Sequence, residues 1–541
     1  MENPLSSDPP GFTVLSTAIT LTAILLVALC TRGLPGSRSK ALPPGPPTLP
    51  FLGNMHQMPR SGIHLKYTDW AKTYGAIFSL KVGQMTMVVL NTASNATRLL
   101  DQRSSLYSDR PPSHAVGDLV FHGHHPMFMN ANERWKLRRK LYFQMFQESR
   151  CNKEHIRLVD AESAQLVRDM MLAPGDLMFH PGRMSNSIIM SLVYGIRTPE
   201  YSTPHYLKLR QILSDLSSLG EVGATPPVDL YPILKYLPER LWGNWKTRAR
   251  LLRDKVTDLY EPLTGCVEHR RAMGKDAKSF IDGVLDQIDT IGLSREEVNI
   301  MGGNLLEGGT DTMATLILTC VQAMALHPGI QKKAHQQMDR VVDESRLPTW
   351  DDYDHLPFIA QIVKEVHRWR SPGPGGFPHI VNKDDEIDGM MLPKDSVVIV
   401  NIWGIHHDGN RFTHPETFDP DRYEGQTRLA PVYANAGSHE ARDHYGYGVG
   451  RRICPGIHLA ERGLWMAISR IIWAFDIAPK LDDTGTPIPI DVSPESGYTD
   501  GFLNQCRPFV VDIKVRSEAR RAAICDAVSK AETEVFQVYS L

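Results

Sequence analysis

The sequence predicts a mainly α-helical protein with a minor β-sheet part, built as one large domain behind an N-terminal membrane segment. Three observations lead there. Helical periodicity dominates, above all from about Arg295 to Leu326, while strand-like runs are few and short. The 541 residues carry no internal linker, repeat or low-complexity tract in the body, so length alone does not divide it. The first fifty residues differ in kind from the rest, with an uncharged stretch followed by a proline-rich run.

Residues 12–30 contain no charged side chain. As a helix they would be about 28 Å long, close to the roughly 30 Å hydrocarbon core of a bilayer. Glu2 and Asp8 precede the stretch, and Arg32, Arg38 and Lys40 follow it. The positive-inside rule then keeps the body in the cytosol. A cleaved signal peptide is the rival reading, but its basic leader is missing. Residues 1–11 are thus expected to be lumenal and 12–30 the transmembrane anchor. Residues 31–50 read as a stiff hinge, because the prolines from Pro43 to Pro50 cannot lie in a helix. Residues 51–516 form the body, and 517–541 an amphipathic, peripheral tail.

Within the body, residues 76–82 and 87–90 read as a hairpin, and 397–402 and 509–515 as further strands. Most of 131–286 is helical. The net charge of -2 gives no ground for a nucleic-acid partner. Seven cysteines (Cys30, Cys151, Cys266, Cys320, Cys454, Cys506 and Cys525) are scattered, odd in number and without a CxxC pair. That speaks against a disulfide framework or zinc site and fits a reducing compartment.

The long helix has clear ends. Ser294 and Glu297 make a capping box, and His327-Pro328-Gly329 stops it. Inside lies Glu307-Gly308-Gly309-Thr310-Asp311-Thr312. Two glycines in a helix interior cost about 1 kcal/mol each. They mark either a helix crossing or a place where a ligand comes close. The polar residues after them favour a site, with Asp311 and Thr312 as proton donors.

The strongest signal is His444-Tyr-Gly-Tyr-Gly-Val-Gly-Arg-Arg-Ile-Cys-Pro-Gly456. Pro455 suits a first helical turn, which places Cys454 at the N-cap of the following helix. Free amides and the helix dipole there lower a thiol pKa. A thiolate so placed is a ligand or a nucleophile. Arg451 and Arg452 suit anionic groups, and no histidine in the loop is placed as an obvious base for nucleophilic chemistry.

These residues resemble the haem-binding signature of the cytochrome P-450 superfamily: Tyr447, Gly450, Arg452, Cys454 and Gly456, with Tyr447 where the family usually has Phe. Further motifs follow in the family's order. Trp135 and Arg139 look like its WxxxR helix, and Glu365 and Arg368 like its ExxR pair. Arg422 resembles the arginine that joins that pair. Gly308 to Thr312 resemble the oxygen-activation motif, with Gly308 where Ala is common. His379 stands where an arginine is usual. The resemblance covers residues 43–515 and looks closest to filamentous-fungal enzymes of secondary metabolism.

The resemblance implies the cytochrome P-450 fold and haem b with Cys454 as the axial iron ligand. Trp135, Arg139, His379, Arg452, Tyr447, Gly450 and Gly456 would contact the cofactor. Glu365, Arg368 and Arg422 would lock the loop behind it. Asp311 and Thr312 would relay protons for dioxygen cleavage, and thiolate ligation would favour that cleavage. Val116, Phe121, Gly308, Phe377 and Phe502 would line a pocket for a largely apolar small molecule. The implied activity is a monooxygenase that hydroxylates or epoxidises its substrate with O2. Electrons would come from an NADPH-dependent reductase, with cytochrome b5 as a further donor, at the endoplasmic reticulum membrane. The basic run Arg134, Lys136, Arg138, Arg139 and Lys140 would greet an acidic reductase. Two rivals are a family member that rearranges or couples without inserting oxygen and a non-enzymatic haem carrier. His122, His124 and His125 read as surface residues rather than metal ligands.

Overall fold

The computed structural model describes residues 36–539 except Val222 and Phe502, together with Thr20 and Thr22. The expected anchor over residues 12–30 lies outside the described residues but for those two threonines. The principal helices are α1 (Ile63–Tyr74), α2 (Glu133–Phe146), α3 (Ile156–Leu172), α4 (His180–Tyr194), α5 (Pro204–Gly220), α6 (Trp245–Ala272), α7 (Arg295–Leu326), α8 (Pro328–Val341), α9 (Pro357–Trp369), α10 (Ile457–Ala474) and α11 (Glu518–Glu534).

The strands are short. β1 (Ile77–Val82) and β2 (Met85–Leu90) form an antiparallel hairpin with Ile77 opposite Leu90. The sheet is completed from far along the chain. β6 (Val397–Val400) lies parallel to β2, with Met87 opposite Val397, and β3 (His379–Ile380) lies antiparallel to β6. Two small pairs stand apart: β4 (Asp385–Ile387) with β5 (Met390–Leu392), and β7 (Phe475–Pro479) with β8 (Val511–Val515). The strand expected over 397–402 ends at Val400, and Ile402–His406 turns into a short helix.

The proline-rich stretch is extended, as proline dictates, but it is docked rather than free. Prolines offer carbonyls and no N–H, so the segment joins its neighbours by accepting. Ser79 N donates to the Pro44 carbonyl (2.7 Å). Asn54 Nδ2 donates to Pro46 and Pro47 (3.2 and 3.1 Å).

The core gathers around α7. The Ser294–Glu297 capping box starts this helix, and Pro328 begins α8 directly after it. α7 is long and apolar enough to cross a membrane, yet its apolar window is 72% buried inside the protein. It is a core rod. α4 lies against it and is buried along its whole length. α10 crosses it at Gly463, where a Cβ would come within 2.8 Å of Met313. Such close approach explains a glycine inside a helix.

The C-terminal tail is not peripheral. α11 lays Ala523, Ile524 and Val528 into the main core, packed on α3. Arg520 pairs with Asp339 (2.8 Å) and Glu344 (3.0 Å). The apolar stripe was legible, but its partner surface belongs to a helix more than 350 residues earlier.

Candidate active site

The loop before α10 is held by its backbone. Gly448 and Gly450 adopt φ of +80° and +67°, which only glycine takes without strain. Gly450 also sits so close to the Leu100 carbonyl that a side chain has no room, and its N–H donates to Asp101 (2.8 Å). Cys454 N–H closes the loop on the Tyr447 carbonyl (2.8 Å). The cap of α10 is Gly456, so Cys454 lies two residues before it and not at the cap as expected. The electrostatics also differ from expectation. Burial pushes the Cys454 thiol up, and the Gly456 amide and Arg139 pull it back only in part. A sulfur shut away from water loses more than one amide returns.

Around the loop stands a set of cations without anions. Arg452 donates to the carbonyls of Ser108 (2.8 Å), Pro126 (3.1 Å) and Met129 (2.5 Å), and lies 4.1 Å from the Trp135 ring centroid. Arg139 donates to the Ile453 carbonyl. Arg110, not singled out in the sequence, donates to the carbonyls of Met127 (3.1 Å), Phe377 (3.3 Å) and Pro378. His379 is buried, with Nδ1 2.7 Å from the Tyr107 carbonyl. Among the described residues none of these three arginines forms an ion pair. Burial pushes Arg452 down to about 10, with Asp109 opposing. Burial and Arg452 together push Arg110 down to about 9. Burial and Arg110 hold His379 well below its usual range, hence neutral. Guanidiniums that repel one another and meet only carbonyls make a site for a dianion.

The middle of α7 presents an open face. Asn304, Gly308, Asp311 and Thr312 are accessible while nearly all their neighbours on the helix are buried. Their spacing of four, seven and eight residues puts them on one side. The glycines divide accordingly. Gly302, Gly303 and Gly309 abut Tyr194, Tyr260 and Ile189, whereas nothing lies within 4 Å of a Cβ built on Gly308. Thr312 Oγ1 donates to the Gly308 carbonyl (2.8 Å). Asp311 does not meet Thr312; its Oδ2 accepts from Gln505 Nε2 (2.7 Å). Burial raises the Asp311 carboxyl, and Gln505 and Arg210 offset part of that.

The expected pocket residues fare unequally. Val116 is half-buried against the core. Phe377 lies beside Arg110, 5.9 Å from guanidinium to ring centroid. Phe121 is only 1% exposed and packs on His125 (4.4 Å between centroids) and Phe128, so it belongs to the core and offers no lining surface. Phe502 lies outside the described residues. His125 is not a surface residue. It is buried, with Nε2 2.8 Å from Glu307 Oε2, and Tyr260 donates to the other oxygen (2.5 Å).

Behind the loop, Arg368 grips Glu365 with two 2.7 Å hydrogen bonds, both residues being 0% exposed. Arg422 Nε adds a third to Glu365 (3.2 Å). The two arginines also bind the carbonyls of His406, Thr413, His414, Pro415 and Thr417. This trio therefore ties α9 to residues 406–422. The ties from α9 to the Cys454 loop come from its neighbours: Lys364 to Asp443 (2.6 Å) and His367 to Tyr447 (3.1 Å). The basic run on α2 is split as well. Arg138 is buried against Glu297 (2.6 Å) and Arg139 turns inward, so Arg134, Lys136 and Lys140 alone remain exposed.

Comparison with known proteins decides what this arrangement is. The cytochrome P-450 family profile matches residues 43–498. The chain is a cytochrome P-450. It is 57% identical over 481 residues to the cytochrome P-450 monooxygenase anuE of Penicillium roqueforti, covering 89% of this chain and 98% of that one. To yanC of Aspergillus niger and macC of Penicillium terrestre, both named as cytochrome P-450 monooxygenases, it is 42% identical. Those matches cover 97% and 96% of this chain and 99% of each relative. This P-450 is thus a haem-dependent monooxygenase with a cysteine thiolate ligand. Its residues fit the group: a half-buried sulfur in a glycine-shaped loop, and arginines without ion-pair partners that would suit two propionates.

Proposed function

We propose that this enzyme hydroxylates or epoxidises a small molecule in a fungal biosynthetic pathway, with Cys454 as the iron ligand. The observation that carries the reading is the set Arg110, Arg139 and Arg452, which surrounds the Cys454 loop with positive charge and forms no ion pair among the described residues. Trp135 and His379 complete the propionate end. When bound, the haem activates dioxygen so that one atom enters the substrate and the other leaves as water.

The chain's own part is to place protons and leave room for the substrate. Gly308 leaves the middle of α7 open to the substrate. Asp311, its carboxyl raised by burial, holds a proton more readily than a surface aspartate, and Gln505 fixes its orientation. Thr312 Oγ1 gives its proton to the Gly308 carbonyl and keeps its lone pairs for water or substrate. The accessible side chains here (Asn304, Asp311 and Thr312) are polar. That supports a substrate with a mainly apolar body and at least one hydrogen-bonding group.

Electrons would come from the NADPH-dependent reductase, with cytochrome b5 as an additional donor. Lys140, exposed beside the paired Arg134 and Lys136, supports an acidic partner on that face. The uncharged stretch at 12–30 supports anchoring in the endoplasmic reticulum membrane with the body in the cytosol. The fungal relatives support a secondary-metabolite substrate. The test is turnover with a fungal reductase, NADPH and isotope-labelled dioxygen against a library of polyketide, terpenoid and alkaloid intermediates. One labelled oxygen atom per product is expected. Product formed without label would contradict oxygen insertion.

A further inference from the structure

Tyr447 carries a hydroxyl where the family usually has a plain phenyl ring, and the structure shows what that hydroxyl does. It does not reach the sulfur. It donates to Glu461 Oε1 on α10 (2.8 Å) and lies 3.1 Å from His367 Nε2 on α9. The other Glu461 oxygen accepts from Ala430 N–H (2.9 Å). His367 and Glu461 are buried, and the half-buried Tyr447 packs its ring against His367 (4.6 Å between centroids). A hydroxyl has one proton. Spent on Glu461, it leaves the oxygen to accept from His367, which must carry its hydrogen on Nε2. The His367 Nδ1 edge faces the Gly446 backbone and is left as an acceptor without a donor.

The same residues, with His444, have the spacing of a metal site: His367, His444 and Glu461 offer ligand atoms within 4.8 Å of one another. The ring geometry argues otherwise. The two imidazoles are stacked 4.3 Å apart at 9°. Nitrogen lone pairs lie in the ring plane, so two parallel rings cannot both aim at one ion between them. Both Glu461 oxygens are also already bound to donors.

We propose that Tyr447 is a positioning residue for Cys454, its side chain tied to α9 and α10 and its carbonyl holding the Cys454 N–H. The linkage is mechanical and continuous. His367 and Glu461 fix the phenol, the phenol fixes the Tyr447 backbone, and the Tyr447 carbonyl receives Cys454 N–H at 2.8 Å. Removing the hydroxyl frees one end and leaves a buried carboxylate and a buried imidazole short of a partner. The loop then loosens, and the sulfur is more readily protonated or released.

This inference rests on Cys454 as the iron ligand, and its test separates the two. The probe is the reduced, carbon-monoxide-bound holoenzyme. Its thiolate-type absorption reports the ligand, and the rate at which that band converts to the shorter-wavelength thiol form reports the tie. Haem transfer to a scavenging apoglobin gives a second rate. If wild type lacks the thiolate band, the ligand assignment is wrong. If wild type shows it, Tyr447→Phe should begin with the same band but convert and lose haem about tenfold faster, the size of one buried hydrogen bond. Glu461→Gln has one oxygen for two donors, the phenol and Ala430 N–H, so it should also convert faster than wild type. Wild-type rates in Tyr447→Phe overturn the proposal.

Discussion

The two sides of this site are built on opposite rules. Behind Cys454 the protein is closed. Glu365, Arg368, Lys364, Asp443, His367 and Glu461 are buried and, with the half-buried Tyr447, hydrogen-bonded to one another or to carbonyls. Across α7 it is open, with Gly308 facing empty space and Asn304, Asp311 and Thr312 accessible in the middle of an otherwise buried rod. A buried polar network is costly when half satisfied and rigid when complete. The closed side therefore sets geometry, and the open side is free to accept a ligand and move protons. What this teaches is that polar residues occur on both sides for different reasons, and their partners tell which.

The comparison can be broken most forcefully at Glu365. Glu365→Ala strands a fully buried guanidinium and should cost about 3–5 kcal/mol, read as loss of haem per polypeptide and a lower urea midpoint. A stable, fully loaded variant would refute the closed-side role.

Acid should come next. His367, His406, His407 and His444 all have pKa values pushed well below the usual 6.5, chiefly by burial. The sign follows directly. As pH falls through about 6.5, the unfolded chain takes up protons that the folded one refuses, so stability present above that value is lost on acidification. Each histidine contributes up to about 1.4 kcal/mol per pH unit below it. Urea midpoints from about pH 7.5 to about 5.5 should fall steeply, and His444→Gln should flatten the slope. A flat profile would mean that these rings are not held neutral.

The adjacent glycines sharpen the contrast within one helix. Gly309→Ala meets Ile189 at 2.9 Å and should destabilise by about 1–3 kcal/mol. Gly308→Ala meets nothing and should stabilise by about 0.5–1 kcal/mol through helix propensity, while shifting the spin-state response to bound ligands. Equal effects in thermal unfolding would erase the distinction between a packed and an open face. The smallest stability change, within about 0.5 kcal/mol, is expected for Thr312→Ala. That variant should keep haem yet divert reducing equivalents to hydrogen peroxide; unchanged coupling would remove Thr312 from proton handling.

What could be read from the sequence is what is local. The ends of α7 were legible in Ser294, Glu297 and Pro328, since capping and proline act within a few residues. The Cys454 loop was legible because its glycines must stand at fixed offsets. Contacts between distant segments were not. Gln505 meets Asp311 across 194 residues, and His125 meets Glu307 across 182. Arg110 joins Arg452 only because two loops fold together. Phe121 carried the right chemistry for a pocket, but no local signal says whether an aromatic ring faces a cavity or its own core. Tyr447 was visible as a departure from the family's pattern, while its partners His367 and Glu461 were hidden in the interiors of two helices.

The central claim is that Cys454 binds the iron as an anion. The direct measurement is the absorption spectrum of the dithionite-reduced protein under carbon monoxide, for wild type and Cys454→Ser. A strongly red-shifted Soret band in wild type, absent from the folded serine variant, is the predicted result. A folded, haem-loaded wild type without that band, or a serine variant that retains it, would contradict the account.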